Sequence, residues 1–349
     1  MHTVDLDHAS MAEAKRRLDG LSKPLGSLGW LEDAVVQVCG ILGTPDPDIT
    51  KKAVAVFCAD NGVVEEGVSQ VGSEVTAAVA RNFTRGITAI NVFTRRFHQD
   101  LFILDVGIKE KTDHPGILDR NIMRGTFNMT KMPAMTMEQA GKAVDTGIQT
   151  VGMLKEMGYG MVGTGEMGIG NTTTSSAITK VLLSCCTEDV TGRGAGLSDE
   201  GLARKIRAID LAIETNRPDP SNPLDVLSKV GGLDIACICG CFLGGMIHRI
   251  PVVMDGFISA AGALLAYRMN PCVKKFMIVS HGSAEPGSKY IFREMGLSPV
   301  LDMGLRLGEG TGASMIMSLL DLAFDAYHNM GTFEQASIRK YEHLNGEQP

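Results

Sequence analysis

Residues 53–62 read Ala-Val-Ala-Val-Phe-Cys-Ala-Asp-Asn-Gly, a run of seven apolar residues that ends in three turn-forming residues. An apolar run without alternation is typical of a strand buried on both faces, as in a parallel sheet covered by helices. Similar runs end after residues 104, 162, 254 and 279, and longer helical patterns follow them. This alternation predicts an α/β fold with a parallel sheet flanked by helices.

Polar residues cluster where these runs end. Asp60 and Asn61 follow the first run, Glu166 follows the third, and Ser280 and His281 follow the last. Ligands of open α/β sheets bind at the carboxyl ends of the strands. We therefore expect the functional site at this edge of the sheet.

The composition excludes several classes of protein. With 44% hydrophobic and 21% charged residues, the chain of 349 residues is neither disordered nor fibrous. A net charge of -7 and 5% aromatic residues disfavour nucleic-acid and anionic-membrane binding. Eight cysteines in a long chain with an ordinary hydrophobic core indicate reduced thiols rather than disulfides. The longest apolar run, residues 235–247, is too short to cross a bilayer. With no signal-peptide pattern, we expect a soluble, cytoplasmic protein.

Residues 163–170 read Gly-Thr-Gly-Glu-Met-Gly-Ile-Gly and contain the GxGxxG pattern of a dinucleotide-binding turn. Its mid-chain position disfavours a dinucleotide, and so does Glu166, whose charge would lie beside the pyrophosphate. Asn171 and the hydroxyl residues 172–176 supply hydrogen-bond donors at a helix start. A mononucleotide or phosphate loop is therefore favoured, with a dinucleotide turn and a plain tight turn as alternatives.

A second glycine-rich segment isolates one carboxylate. Residues 307–312 read Leu-Gly-Glu-Gly-Thr-Gly, so small neighbours leave Glu309 open to a substrate while apolar ones desolvate it. Desolvation raises a carboxyl pKa, which suits a general acid or base. The alternative is a glutamate that only interacts with the dipole of a helix N-terminus.

Two further patterns each allow two interpretations. The glycine-rich residues 192–196 with Lys205 resemble a phosphate-binding loop with a point charge, or else a surface loop with a solvated lysine. Cys237, Cys239 and Cys241 lie among apolar residues at spacings that zinc sites do not use, which favours core packing over a metal site.

Several strings together resemble one enzyme family. They are 23–29 (Lys-Pro-Leu-Gly-Ser-Leu-Gly), 165–173 (Gly-Glu-Met-Gly-Ile-Gly-Asn-Thr-Thr), 191–194 (Thr-Gly-Arg-Gly), 255–258 (Asp-Gly-Phe-Ile), 283–287 (Ser-Ala-Glu-Pro-Gly) and 306–313 (Arg-Leu-Gly-Glu-Gly-Thr-Gly-Ala). In this order they resemble the nicotinate-nucleotide:dimethylbenzimidazole phosphoribosyltransferases of cobalamin lower-ligand synthesis, over nearly the whole length.

The resemblance implies a reaction and an architecture. Nicotinate mononucleotide and a benzimidazole-type base would give α-ribazole phosphate and nicotinate, with no metal and no cofactor, because the pyridinium leaving group already carries its positive charge. It implies a homodimer and a Rossmann-like parallel sheet flanked by helices, with a small helical domain formed from both chain ends. The expected boundaries are 1–46 and 306–349 for the small domain and 47–305 for the catalytic domain.

The resemblance also assigns residues to roles. Glu309 matches the catalytic base of the family and Glu166 its second active-site carboxylate. The expected donor- and phosphate-binding residues are Gly168, Gly170, Asn171, Thr172, Gly192, Arg193, Gly194, Lys205, Ser283, Arg306 and Gly308. The expected acceptor-binding residues are Ser69, Val71, Ser73 and Leu307.

The chain departs from the family pattern at two places. Val71 and Gly72 stand where the family usually has Tyr-Pro, and Ser288 stands where it often has His. The first change predicts a wider acceptor pocket and broader use of bases. Two other classes compete with a transferase: a nicotinamide-dinucleotide oxidoreductase that uses residues 163–168, and a catalytically silent nucleotide-binding protein.

Overall fold

The structure, a computed structural model, describes residues 4–341. Its strands are β1 Lys52–Ala59, β2 Asp100–Gly107, β3 Leu118–Asp119, β4 Met161–Met167, β5 Val252–Met254 and β6 Met277–Val279. Its α-helices are α1 His8–Gly20, α2 Trp30–Leu42, α3 Glu74–Thr84, α4 Ala89–Arg96, α5 Met137–Glu156, α6 Asn171–Leu183, α7 Thr187–Val190, α8 Asp199–Asn216, α9 Pro223–Val230, α10 Leu233–His248, α11 Phe257–Met269, α12 Gly287–Met295 and α13 Thr311–Asn329.

The strands form one parallel sheet in the order β3-β2-β1-β4-β5-β6. The predicted α/β fold is thereby confirmed. The chain builds the sheet outward from β1, first toward β2 and then toward β4, so the strand order switches between β1 and β4. Strand β3 has two residues, which is too short for an apolar run to reveal it in the sequence.

Strand β1 is buried on both faces, as its unbroken apolar run predicts. Ala53, Ala55 and Phe57 belong to one hydrophobic core, which includes α5 and α10. Val54, Val56 and Cys58 belong to the other core, which includes residues of α2 and α13. Since side chains alternate along a strand, one short segment connects both layers of helices.

The glycine-rich segment after residue 162 differs from the sequence-based interpretation as a loop. Strand β4 continues to Met167, so Gly163 and Gly165 lie within the sheet. A Cβ atom at Gly165 would lie 2.7 Å from the backbone oxygen of Glu309. Glycine is therefore needed here for a close approach of the backbone rather than for a turn around a dinucleotide.

The helices at the two ends of the chain pack together. The guanidinium of Arg17 in α1 lies 4.4 Å from the ring centre of Tyr327 in α13. The Tyr327 hydroxyl donates a hydrogen bond to the backbone oxygen of Pro45 at 2.8 Å. These helices share a core with the sheet face that contains Val54 and Met161, and the division into domains at residues 46 and 305 stays a prediction.

Helix α10 accounts for the cysteine-rich apolar run. Cys237, Cys239 and Cys241 are fully buried in it and belong to the larger core, in agreement with the packing interpretation. Between residues 4 and 341, no helix combines the length and the apolar character that crossing a membrane requires.

Candidate active site

A cavity of about 280 Å³ lies at the carboxyl edge of the sheet, beside the switch in strand order. Ligands of open α/β folds bind at such points. The lining residues are Val79, from α3, and residues of six further segments, within 68–70, 166–172, 194–197, 255–259, 281–285 and 306–309. The structure thus brings together distant segments at the edge that the sequence indicated.

Most of the expected site residues line this cavity. They are Ser69, Glu166, Gly168, Gly170, Asn171, Thr172, Gly194, Ser283, Arg306, Leu307, Gly308 and Glu309. Five expected residues are not part of the lining, namely Val71, Ser73, Gly192, Arg193 and Lys205.

Glu166 lies near the end of β4 and is 7% exposed. Its carboxylate accepts a hydrogen bond from the side-chain amide of Asn171, and the same nitrogen donates to Asp234 Oδ2 at 2.9 Å. Burial, and next the negative charge of Asp234, raise the pKa of Glu166 to about 8. The cavity therefore contains a carboxyl group that keeps its proton at neutral pH.

Asp234 is a partner of the site that sequence reasoning missed. It lies in the first turn of α10, fully buried, and burial raises its pKa to about 6. A helix-start aspartate is common, so the sequence does not distinguish this one from an ordinary dipole interaction. The available signal is its place in a helix that is apolar on all sides, where an acid needs a polar partner.

Glu309 lies in an unusual turn. Gly308, Glu309 and Gly310 are consecutive left-handed residues, with φ of +86°, +63° and +88°. This conformation is free for the glycines but costs a residue with a side chain about 1–3 kcal/mol. The turn places the half-buried Glu309 side chain in the cavity lining.

The Glu309 carboxylate is held by a helix. Its Oε2 accepts a hydrogen bond from the backbone N–H of Ile90, in the first turn of α4, at 3.2 Å. Burial raises the pKa of Glu309, the Ile90 N–H lowers it, and the charge of Asp255 raises it further. Glu309 does meet a helix N-terminus, as the alternative interpretation proposed, but the helix is α4 rather than α13, and its side chain still faces the cavity.

Lys205 lies one layer behind the cavity wall. Its side chain is fully buried, and Nζ donates to Thr172 Oγ1 at 2.8 Å and to the Gly192 backbone oxygen at 3.0 Å. Burial lowers the pKa of Lys205 to about 8. Because Thr172 lines the cavity, Lys205 acts on the cavity from behind this hydroxyl.

The glycine-rich loop at residues 192–196 packs against the carboxylate of Glu285. The backbone N–H of Gly194 donates to Glu285 Oε1 at 2.9 Å, and a Cβ atom at Gly192 would overlap the same carboxylate. Arg193 points elsewhere, because its guanidinium binds Asp199 and the backbone oxygen of Leu197. Its charge is therefore already paired at the surface.

The segment at residues 69–76 forms one side of the cavity mouth. Gln70 donates a hydrogen bond to the backbone oxygen of Gly196, and Thr76 accepts one from the N–H of Ile169 at 3.2 Å. Val71 is 42% exposed and Ser73 directly precedes α3. A hydrogen bond thus joins this side of the mouth to Ile169, which follows β4, while the apolar side chain of Val71 is exposed.

Comparison with known proteins gives a consistent result. The sequence profile of a family described as "Phosphoribosyltransferase" matches residues 4–338. A nicotinate-nucleotide–dimethylbenzimidazole phosphoribosyltransferase from Clostridium acetobutylicum is 51% identical over 339 residues, which are 97% of this chain and 96% of that protein. A protein of the same name from Acetivibrio thermocellus is 52% identical over 332 residues, which are 95% of this chain and 95% of that protein.

The chain belongs to this phosphoribosyltransferase family. The crystal structure of CobT from Thermus thermophilus is similar with a TM-score of 0.90 and 40% identity, covering 95% of this chain and 100% of that chain. The family resemblance read from the sequence is confirmed, and the protein is a phosphoribosyltransferase rather than an oxidoreductase or a silent nucleotide-binding protein.

Proposed function

We propose that the protein transfers the phosphoribosyl group of nicotinate mononucleotide to 5,6-dimethylbenzimidazole or a related base, giving α-ribazole 5′-phosphate and nicotinate. The observation that carries the proposal is the pair of carboxyl groups, Glu166 and Glu309, in one cavity at the carboxyl edge of the sheet. The names of the relatives from Clostridium acetobutylicum and Acetivibrio thermocellus contain the same pair of substrates.

Glu309 acts as the general base in this reaction. The attacking nitrogen of the base loses its proton as the bond to the anomeric carbon forms, and a desolvated carboxylate accepts that proton well. Burial raises the pKa of Glu309 and thereby its basicity, while the Ile90 N–H favours the ionised form that accepts the proton. Gly308, beside Glu309, makes room for the second carboxyl group, because a Cβ atom there would lie 2.0 Å from Glu166 Oε1.

Glu166 is the second carboxyl group. With a pKa of about 8 it stays largely protonated at neutral pH, so it adds little negative charge beside an anionic donor. A protonated carboxyl also donates a hydrogen bond, which suits contact with a ribose hydroxyl or with the departing nicotinate.

The donor phosphate binds where helices begin. Helices α6 and α11 both start at the cavity, and its lining includes residues 168–172 and 256–259, which lead into these helices and begin them. Helix N-termini attract anions through free N–H groups and the helix dipole. Ser283 and Arg306 contribute further donors from the lining, Gly194 lines the cavity with its N–H bonded to Glu285, and Lys205 supports Thr172 from behind. Gly192 and Arg193 belong to this site through the backbone of their loop.

The acceptor base occupies the mouth between residues 69–73 and Leu307. Ser69 and Leu307 line the cavity, while Val71 and Ser73 lie on the loop that continues from it. With Val71 in place of an aromatic ring, the acceptor loses a stacking partner. We propose broad use of benzimidazole-type bases for this reason.

The working form is a cytoplasmic homodimer. Leu307 at the mouth is 56% exposed and Val71 on the adjoining loop 42%, and exposed apolar side chains are common in surfaces that bind a second subunit. All eight cysteines lie in the described chain and are free thiols, which fits a reducing compartment. Analytical ultracentrifugation tests the dimer directly.

A simple assay tests the proposed function. Purified protein is mixed with nicotinate mononucleotide and 5,6-dimethylbenzimidazole, and released nicotinate and α-ribazole phosphate are measured by chromatography. We expect equal amounts of both products, and no nicotinate without an acceptor base. Release of nicotinate at the same rate without any base would indicate hydrolysis, and no release with any base would overturn the proposal.

A further inference from the structure

The hydrogen bonds within the turn that carries Glu309 do not fix all of its backbone. Within the turn, the N–H and the hydroxyl of Thr311 both donate to the backbone oxygen of Gly308, at 3.2 Å and 2.9 Å. These bonds close the turn but leave the N–H group of Gly310 pointing away from it. A glutamate held in the left-handed region persists where neighbouring groups fix its backbone.

Asp255 supplies that fixation. It follows β5 directly and is 1% exposed. Its Oδ2 accepts a hydrogen bond from the N–H of Gly310 at 3.1 Å, and its Oδ1 accepts from Gly312 at 2.7 Å and from Ala313 at 3.2 Å. One carboxylate therefore binds three N–H groups of the segment that begins immediately after Glu309.

The position of Asp255 is itself fixed by the two neighbouring strands. Its N–H donates to Thr164 Oγ1 in β4 at 3.4 Å, and its backbone oxygen accepts from the hydroxyl of Ser280, just after β6, at 2.9 Å. Asp255 therefore links the turn to the edge of the sheet by hydrogen bonds on both sides.

Helix capping explains part of this arrangement but not all of it. Gly312 and Ala313 lie in the first turn of α13, so their bonds to Oδ1 satisfy N–H groups that any helix start leaves free. Gly310 precedes the helix, and its bond to Oδ2 fixes the peptide that directly follows Glu309. The second oxygen of the carboxylate thus acts on the active-site turn rather than on the helix.

We propose that Asp255 is the positioning residue for Glu309, and that it acts on the reaction through this turn. The inference rests on the proposed function, in which Glu309 removes a proton from the acceptor. Asp255 fixes the Glu309 backbone, while the N–H of Ile90 fixes its carboxylate. Held at both ends, the base is oriented before the substrates arrive.

The decisive variant is Asp255→Asn, which keeps the shape of the side chain and replaces one acceptor oxygen by an NH₂ donor. Whichever way the amide turns, this donor faces either the N–H of Gly310 or those of Gly312 and Ala313. We expect kcat to fall about 10–100-fold, the effect of a misplacement near 1 Å, while KM for nicotinate mononucleotide changes less than about threefold. A kcat within about threefold of the wild type would overturn the inference.

Asp105 is a matched control. It lies in β2, is nearly as buried, and also accepts a backbone N–H, that of Ile108 at 2.8 Å, but it does not line the cavity. Asp105→Asn is expected to lower thermal stability and to leave kcat within about threefold. If it lowers kcat as much as Asp255→Asn does, the effect is a general loss of stability and the inference fails.

A double-mutant cycle with Glu309→Gln separates a positioning role from an independent one. Once Glu309 cannot accept a proton, its position no longer matters, so Asp255→Asn is expected to add less than about threefold to the loss. Multiplicative losses would show that Asp255 acts without Glu309 and would overturn the inference. If Asp255→Asn does not fold, Asp255→Ser, which keeps one acceptor oxygen, takes its place in the same cycle.

Crystal structures of the wild type and of Asp255→Asn give a readout that does not depend on activity. We expect Glu309 to leave the left-handed region, or its carboxylate to separate from the Ile90 N–H, in the variant. An unchanged turn would overturn the positioning role. An inactive wild type with a displaced turn in the variant would instead overturn the proposed function and leave the role of Asp255 in the turn supported.

Discussion

The inner wall of the cavity and its outer rim are built differently. In the inner wall, Glu166 is held by Asn171 and Glu309 by Ile90, and each contact joins residues of different elements. In the outer rim, Val71 and Leu307 are largely exposed and belong to loops. The two carboxyl groups that we propose for the chemistry are therefore fixed before a substrate arrives, while the residues that we propose to meet the acceptor ring lie on adaptable loops.

This difference implies a division of effects. Changes in the inner wall should act on the chemical step, because they alter the protonation or the position of a reacting group. Changes in the rim should act on the choice of base, where an apolar pocket distinguishes one methylene group by only about 1–3 kcal/mol. The following variants test the division, beginning with the strongest effect.

Glu309→Gln tests the inner wall most severely. The side chain keeps its size but cannot accept a proton, so we expect kcat to fall about 10²–10⁴-fold with little change in thermal stability. Steady-state kinetics at saturating substrates measure it, with the exposed Glu138→Gln, at the start of α5, as the control. A loss below about threefold would remove Glu309 from the role of base.

Lys205→Met tests the contribution of the buried lysine that lies behind the cavity lining. The variant retains the apolar stem but loses the bonds to Thr172 and Gly192, so we expect KM for nicotinate mononucleotide to rise about tenfold, with a smaller change in kcat. Lys180→Met is the control, because Lys180 binds Thr187 and Asp210 outside the cavity lining. A rise confined to KM of the acceptor base would place Lys205 in a different role.

The rim is tested by restoring the usual family residues. We expect the unmodified protein to use benzimidazole and its methyl derivatives within about a hundredfold of one another. The double variant Val71→Tyr, Gly72→Pro adds a stacking ring worth about 0.5–1.5 kcal/mol, so preference for 5,6-dimethylbenzimidazole should rise about 2–12-fold. Competition between equal concentrations of the bases measures it, and a change in kcat larger than the change in preference would contradict the division.

The smallest effect concerns stability and pH. In the unfolded chain Glu166 loses its proton near its ordinary pKa of 4.5, whereas in the folded protein it keeps it until about pH 8. The folded state therefore binds more protons between these values, and the contribution of Glu166 to stability falls as pH rises through this window. Glu166→Gln removes this titration.

We expect the difference in Tm between Glu166→Gln and the wild type to shift in favour of the variant by about 3–6 °C from pH 5 to pH 8. Differential scanning calorimetry at the two pH values measures the change. A constant difference in Tm across this range would show that the Glu166 carboxyl titrates normally in the folded protein. Asn171 would then hold it ionised despite its burial.

Residues within short segments determined the fold and much of the site. The unbroken apolar run 53–59 predicted a strand buried on both faces, and the polar residues after such runs predicted the edge where the cavity lies. These predictions succeed because strand periodicity and the direction of parallel strands are local properties that a few consecutive residues determine. The isolation of Glu309 between glycines was visible for the same reason.

Tertiary structure alone decided which groups act on these residues. Asp234 lies 63 residues from Asn171, Glu309 lies 219 residues from Ile90, and the Asp255 carboxylate reaches residues 55 to 58 positions away. Gly165 of β4 matches the pattern of a turn in the sequence, yet it makes room for the backbone of Glu309. Such pairings depend on how the strands are ordered in the sheet and on side-chain burial, and no local pattern records either, because burial and hydrogen bonding are properties of the packed chain as a whole.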